Sequence, residues 1–209
     1  MLNAFFEPSC YWPRMTIVTL SLALIAAAQA SATPASPIIF PSAAVAFEEG
    51  IMACEAVYTG GLKGEKSDPA KPGPFSQRGF YMSASGDEAK VNMLMLGQRA
   101  HVYKGSVDGA AGVVYIVFSL APLACRVGSF DAPGSHAGAL EQLNKPGSGW
   151  AAQATSSPSP AAKMQLFQKD IAGKPATLNL SWPVSQGAGP NGLAAMATMI
   201  VQEAAPVPR

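Results

Sequence analysis

Charge is scarce in this chain. Its 209 residues carry 14 lysines and arginines against 13 aspartates and glutamates, for a formal net charge of +1. No basic stripe occurs, so the electrostatic footprint of a nucleic-acid binder is missing. Histidine is scarcer still, at two residues. The three cysteines form no C-x-x-C pair, which removes the usual zinc and redox-dithiol spacings. No G-x-S-x-G nucleophile elbow occurs, and no internal repeat. Long apolar runs are also lacking, with one exception.

The exception is "MTIVTLSLALIAAAQASATPA", Met15 to Ala35. Arg14 precedes an apolar core from Met15 to Ala28. Small residues then sit at Ala28 and Ala30 in "AQA", and at Ala30 and Ala32 in "ASA", the two positions a signal peptidase reads. A spanning helix needs about 20 apolar residues. Gln29 and Ser31 arrive too early for that, and no basic residue follows to stop transfer. No cysteine follows until Cys54, so a lipid anchor is not expected. The expectation is a signal peptide over residues 1–32, cut after Ala30 or Ala32, and a periplasmic or secreted mature chain with no membrane span. The residues before Met15 carry Glu7 and several aromatics, which is odd for a signal. Met15 is a candidate start codon, and that segment is set aside.

The remaining 177 residues (209 less 32) fit a single exported globular domain, 33–209. Cys10 leaves with the signal. Cys54 and Cys125 are then an even pair in an oxidising space, which predicts a disulfide. Closing a loop of about 70 residues is worth roughly 4 kcal/mol in the chain-entropy model.

Phe47, Ile51, Cys54 and Tyr58 recur at helical spacing, with Ser42 as N-cap and Gly60-Gly61 as stop. Glu48 and Glu49 lie early, where negative charge suits the helix dipole. Residues 62–79 are rich in proline, glycine and charge and predict a long surface loop. Phe80–Gly97 is ambiguous, with a short helix opened by Asp87 and Glu88 preferred over a strand at Val91–Leu96. "AHVYKG" predicts a strand. "VVYIVFSL" predicts one buried on both faces, and "LACRVGSF" one with Leu123, Cys125 and Val127 on a single face. "SHAGALEQLNKPG" predicts a helix capped by Ser135 with Leu140 and Leu143 inward. Residues 147–162 predict a second long loop. A hairpin follows around Ala172 to Pro175. In its second arm Ala176, Leu178, Leu180 and Trp182 face one side, while Thr177, Asn179 and Ser181 face the other. "LAAMATMIVQ" predicts the last strand. The fold class expected is α+β, a mostly antiparallel sheet of about five or six strands with two helices on one face.

Four patterns suggest chemistry. "GAGPNG", Gly187 to Gly192, matches the dinucleotide fingerprint by letter, but Glu203 comes too soon for the ribose acid and Pro190 intrudes, so a glycine-rich hairpin loop is preferred. "GSFDAPGSH" places Ser129, Asp131, Ser135 and His136 close in sequence. A hydrolase needs nucleophile, base and orienting acid, but the fold assembles such groups, and a turn plus a helix cap explains the same residues. Met82, Met93, Met95 and His101 bear on copper without a fixed ligand spacing, and methionine is more often a core filler. Asn179 to Ser181 is formally a glycosylation sequon, set aside because signal and composition look bacterial. No catalytic residue, metal or cofactor is therefore assigned. The expected function is a non-catalytic periplasmic binding or interaction module for a protein, an envelope component or a small ligand. The alternative is a small periplasmic serine hydrolase using Ser129 or Ser135 with His136.

Overall fold

The computed structural model describes residues 37–60, 73–83, 87–109, 112–120, 123–155, 157, 159–185, 187 and 189–202. The expected signal peptide with Ala30 and Ala32, and the tail from Glu203, lie outside them.

A short strand β1 (Ile39–Phe40) leads into α1 (Ala43–Thr59). Ser42 caps this helix, its Oγ accepting from the Val45 N–H at 3.3 Å. All four members of the predicted stripe are buried. The helix begins at Ala43, so Glu48 and Glu49 lie beyond its first turn, not in it. Then come α2 (Pro74–Gln77), β2 (Phe80–Met82) and α3 (Glu88–Met95). The carboxylate of Asp87 caps α3 through the amides of Ala89 and Lys90. Strands β3 (His101–Val107), β4 (Val113–Leu120) and β5 (Leu123–Phe130) precede α4 (His136–Asn144). Strands β6 (Ala151–Gln153), β7 (Ala162–Ile171), β8 (Lys174–Pro183) and β9 (Leu193–Val201) complete the order.

The α+β class holds, with corrected counts. Among the described residues nine strands form one mixed sheet in the order β1-β3-β4-β5-β9-β8-β7-β6, with β2 also on the free edge of β3. Every pairing is antiparallel except β1 with β3. The extra strands are pieces of two or three residues, too short to show a period of two. Of the predicted 62–79 loop, residues 62–72 lie outside the described residues. The 62–79 stretch ends in α2, whose Phe75 is fully buried, and the 147–162 stretch contains β6.

The described residues form four helices instead of the expected two, and these do not share one face. Helix α1 lies over the middle of the sheet with α2 and α4 beside it, and buries the larger core. Helix α3 covers β4 and β5 from the other side, with Val91 and Leu94 against Tyr115, Val117 and Phe130. The cause is in β4. Val114, Ile116 and Phe118 point to α1 while Tyr115 and Val117 point to α3, so both faces need cover. Glycine permits both close approaches. A Cβ at Gly50 of α1 would sit 2.7 Å from Val127 of β5, and one at Gly128 would sit 2.7 Å from Leu94 of α3.

Cys54 and Cys125 are joined, with Cα atoms 5.8 Å apart, so α1 is pinned covalently to β5. One turn later the Tyr58 hydroxyl donates to the Met199 carbonyl at 3.3 Å, tying the helix to β9 as well. Burial pushes that phenol well above its ordinary value. In β8, Ala176, Leu178 and Leu180 are buried as the alternation predicted. Among the described residues no helix is long and apolar enough to cross a membrane.

Candidate functional site

Two hollows adjoin α4. The first is a cleft of about 320 Å³ between α1 and α4. Helix α1 supplies Glu48, Ile51, Met52 and Glu55, whose spacings of three and four place them on one side of the helix, a side that meets the buried stripe at Ile51. Glu49 adds to the rim. Helix α4 supplies Ala139, Gln142 and Leu143, the segment after it supplies Ser148 and Trp150, and β7 supplies Lys169.

The floor of this cleft is a closed polar network. Lys169 shares its face of β7 with the buried Phe167 and Ile171, so its ammonium is directed under the helices rather than to solvent. It meets Glu55 Oε1 at 2.5 Å, donates to the Ser148 carbonyl at 3.0 Å, and stands 5.6 Å from the centre of the Trp150 ring. The Trp150 indole N–H donates to the other Glu55 oxygen at 3.2 Å. Ser148 fixes the connection to α4, its hydroxyl donating to the Leu143 carbonyl and accepting from the Trp150 amide. At the rim Arg78 pairs with Glu49 at 2.7 Å. Glu48 is half-buried, lies against α4 at Gly138, and has no cation among the described residues.

The second hollow, about 360 Å³, lies at the start of α4 and is lined by His136, Trp182, Pro183, Val184 and neighbouring backbone. The His136 ring stacks on Trp182 with centroids 4.5 Å apart. Its Nδ1 is buried and makes no hydrogen bond. Burial first, and the charge of Lys163 second, hold the imidazole below its ordinary value.

The residues singled out in the sequence are placed as follows. Ser129 and Ser135 are buried, neither hydroxyl makes a hydrogen bond, and neither engages His136. Ser135 precedes α4 but its side chain does not cap it. Its backbone is itself helical there, which turns the hydroxyl away from the first amides. Asp131 does not orient His136. Its carboxylate pairs with Lys90 at 2.6 Å, and its amide donates to the Gly192 carbonyl at 2.7 Å. "GAGPNG" joins β8 to β9, which pair antiparallel, and Pro190–Gly192 makes one turn of 3-10 helix. A pyrophosphate loop needs a helix N-terminus that this hairpin does not provide. Met93 and Met95 pack against the smaller core, Met82 is exposed, and His101 lies exposed on β3. Among the described residues no three His, Cys, Asp or Glu side chains converge as a metal would require. On the far face of the sheet Arg126 is buried, with Nη1 on Gln98 Oε1 at 3.0 Å and Nε unbonded.

Glu55, Trp150 and Lys169 were not singled out in the sequence. One signal was available: "FQKDI" places a lysine at an inward strand position between two apolar ones. Such a lysine needs a buried carboxylate, and Glu55 directly follows Cys54 on α1. No protein-family model, curated protein or solved structure matches this chain.

Proposed function

We propose that this chain is an exported, non-catalytic binding module and that it takes a small ligand in the cleft between α1 and α4. The observation that carries this is the cleft itself: apolar walls from Ile51, Met52, Ala139 and Leu143 stand over a fixed floor of Trp150, Glu55 and Lys169. A concave apolar pocket of a few hundred cubic ångströms with a few convergent polar groups is the usual form of a small-molecule site. The floor is pre-organised, so little ordering opposes binding. The export half of the proposal rests on the apolar run and "AQASA" at residues 28–32. The hydrolase alternative lacks matching support, since Ser129 and Ser135 make no bond to His136 and Asp131 serves Lys90.

A fragment library screened by thermal shift on the mature protein and on Met52→Arg tests the site. Met52 is 40% exposed, so the variant is expected to fold while its guanidinium fills the cleft. Fragments that raise the Tm of the wild type should lose their effect on the variant. No fragment that distinguishes the two proteins would refute the reading. N-terminal sequencing of exported protein tests the compartment; a mature chain beginning at Met1 or Met15 rejects export.

A further inference from the structure

We infer that the α1–α4 cleft selects a small amphipathic cation, an organic ammonium carried on an apolar body. This rests on the reading of the cleft as a ligand site and adds the ligand's chemical class. The cleft already holds one ammonium. Lys169 sits there between a carboxylate (Glu55), a carbonyl (Ser148) and an indole face (Trp150), the three groups that favour an ammonium withdrawn from water. That internal cation uses Glu55, and Arg78 uses Glu49. Glu48 remains on the lining with no cation among the described residues.

The sign of the ligand follows. Among the described residues three glutamates and one lysine line the cleft, a net charge of −2, and counting Arg78 leaves −1. An anion would meet that net negative charge, and the lining Lys169 is already bonded twice. A neutral apolar ligand would fill the space beside Ile51, Met52 and Leu143 but would bury Glu48 further without a counter-charge, which is costly. A cation with an apolar body satisfies both, with Glu48 taking the charge and the walls taking the chain. Displacing water from the cleft strengthens the pairing, because the interaction grows as the local dielectric falls.

Three probes of one length separate the possibilities: hexylammonium, hexanol and hexanoate, titrated at matched low ionic strength and followed by calorimetry. They are compared on the wild type, Glu48→Gln and Met52→Arg, with circular dichroism to verify that each variant is folded. Hexylammonium should bind about tenfold tighter than hexanol, and hexanoate weaker than both, the size expected of one half-buried charge pair. Glu48→Gln should reduce the ammonium preference to about twofold or less, and Met52→Arg should remove binding of all three. Equal binding of hexanol, tighter binding of hexanoate, or an ammonium preference that survives Glu48→Gln overturns the cation inference. If in those cases binding still disappears in Met52→Arg, the cleft remains a ligand site of different selectivity. Failure of all three probes to bind also overturns the inference, while the fragment screen judges the site separately.

Discussion

Removing the Cys54–Cys125 bridge by a double alanine substitution is expected to lower the unfolding free energy by about 5 kcal/mol. The cysteines lie 71 residues apart in sequence. In the chain-entropy model a loop of that size gives 2.1 + 1.5R ln n, about 15 cal/mol/K, or roughly 4.4 kcal/mol at 25 °C. Both side chains are buried, so losing the two sulfur atoms leaves small cavities worth about 1 kcal/mol together. That is a third or more of the stability of an ordinary domain, about 5–15 kcal/mol. Guanidinium unfolding followed by tryptophan emission reads the effect. The midpoint should fall and the m-value should rise, because the uncrosslinked denatured chain exposes more surface. Reductant alone should leave the native protein oxidised, since both cysteines are shielded, and should act only when denaturant opens the chain. A double variant within about 1 kcal/mol of the wild type would show that the denatured state is not what the bridge constrains. Two free thiols titrating in native protein from an oxidising compartment would remove the premise.

Gly192→Ala should cost roughly 3 kcal/mol and Gly109→Ala roughly 1, because both have positive φ but only at Gly192 would the new methyl collide with a neighbour, the Asp131 carboxylate; urea midpoints compare them. Glu55→Gln should cost about 2 kcal/mol by leaving the Lys169 ammonium, 21% exposed, without its carboxylate; adding Lys169→Met should recover more than half, and strict additivity would argue that the pair is not coupled. The folded-state value of His136 is depressed, so between it and about 6.5 the unfolded chain binds more protons than the folded one. Its contribution is therefore complete above about pH 6.5 and is lost as pH falls through that window. Tm measured from pH 8 to pH 5 should fall less steeply in His136→Phe than in the wild type, and parallel curves would refute the assignment.

Local pattern carried much of the architecture. The stripe of Phe47, Ile51, Cys54 and Tyr58 defined α1 and its buried side, because a helix repeats each 3.6 residues whatever it packs against. The alternation in β8 was visible for the same reason, as was the two-sided apolar content of β4. Cys54 and Cys125 are the two cysteines left beyond the expected signal, an even pair legible from the sequence alone. That β4 needs cover on both faces was present in its composition, but which helix covers which face was not. Its occupant α3 has only two fully inward side chains, Val91 and Leu94, too few to announce a face. The fragments β1, β2 and β6 exist because a longer neighbour offers its free edge, and two or three residues have no periodicity of their own. The candidate cleft is the clearest case. Trp150 and Glu55 are 95 residues apart in the chain, Glu55 and Lys169 are 114, and neither pair shares an element. Residue type told only that Glu55 and Lys169 are costly to bury alone. The sheet order, which puts β7 beside β8 and folds α4 back against α1, decided that they are buried together.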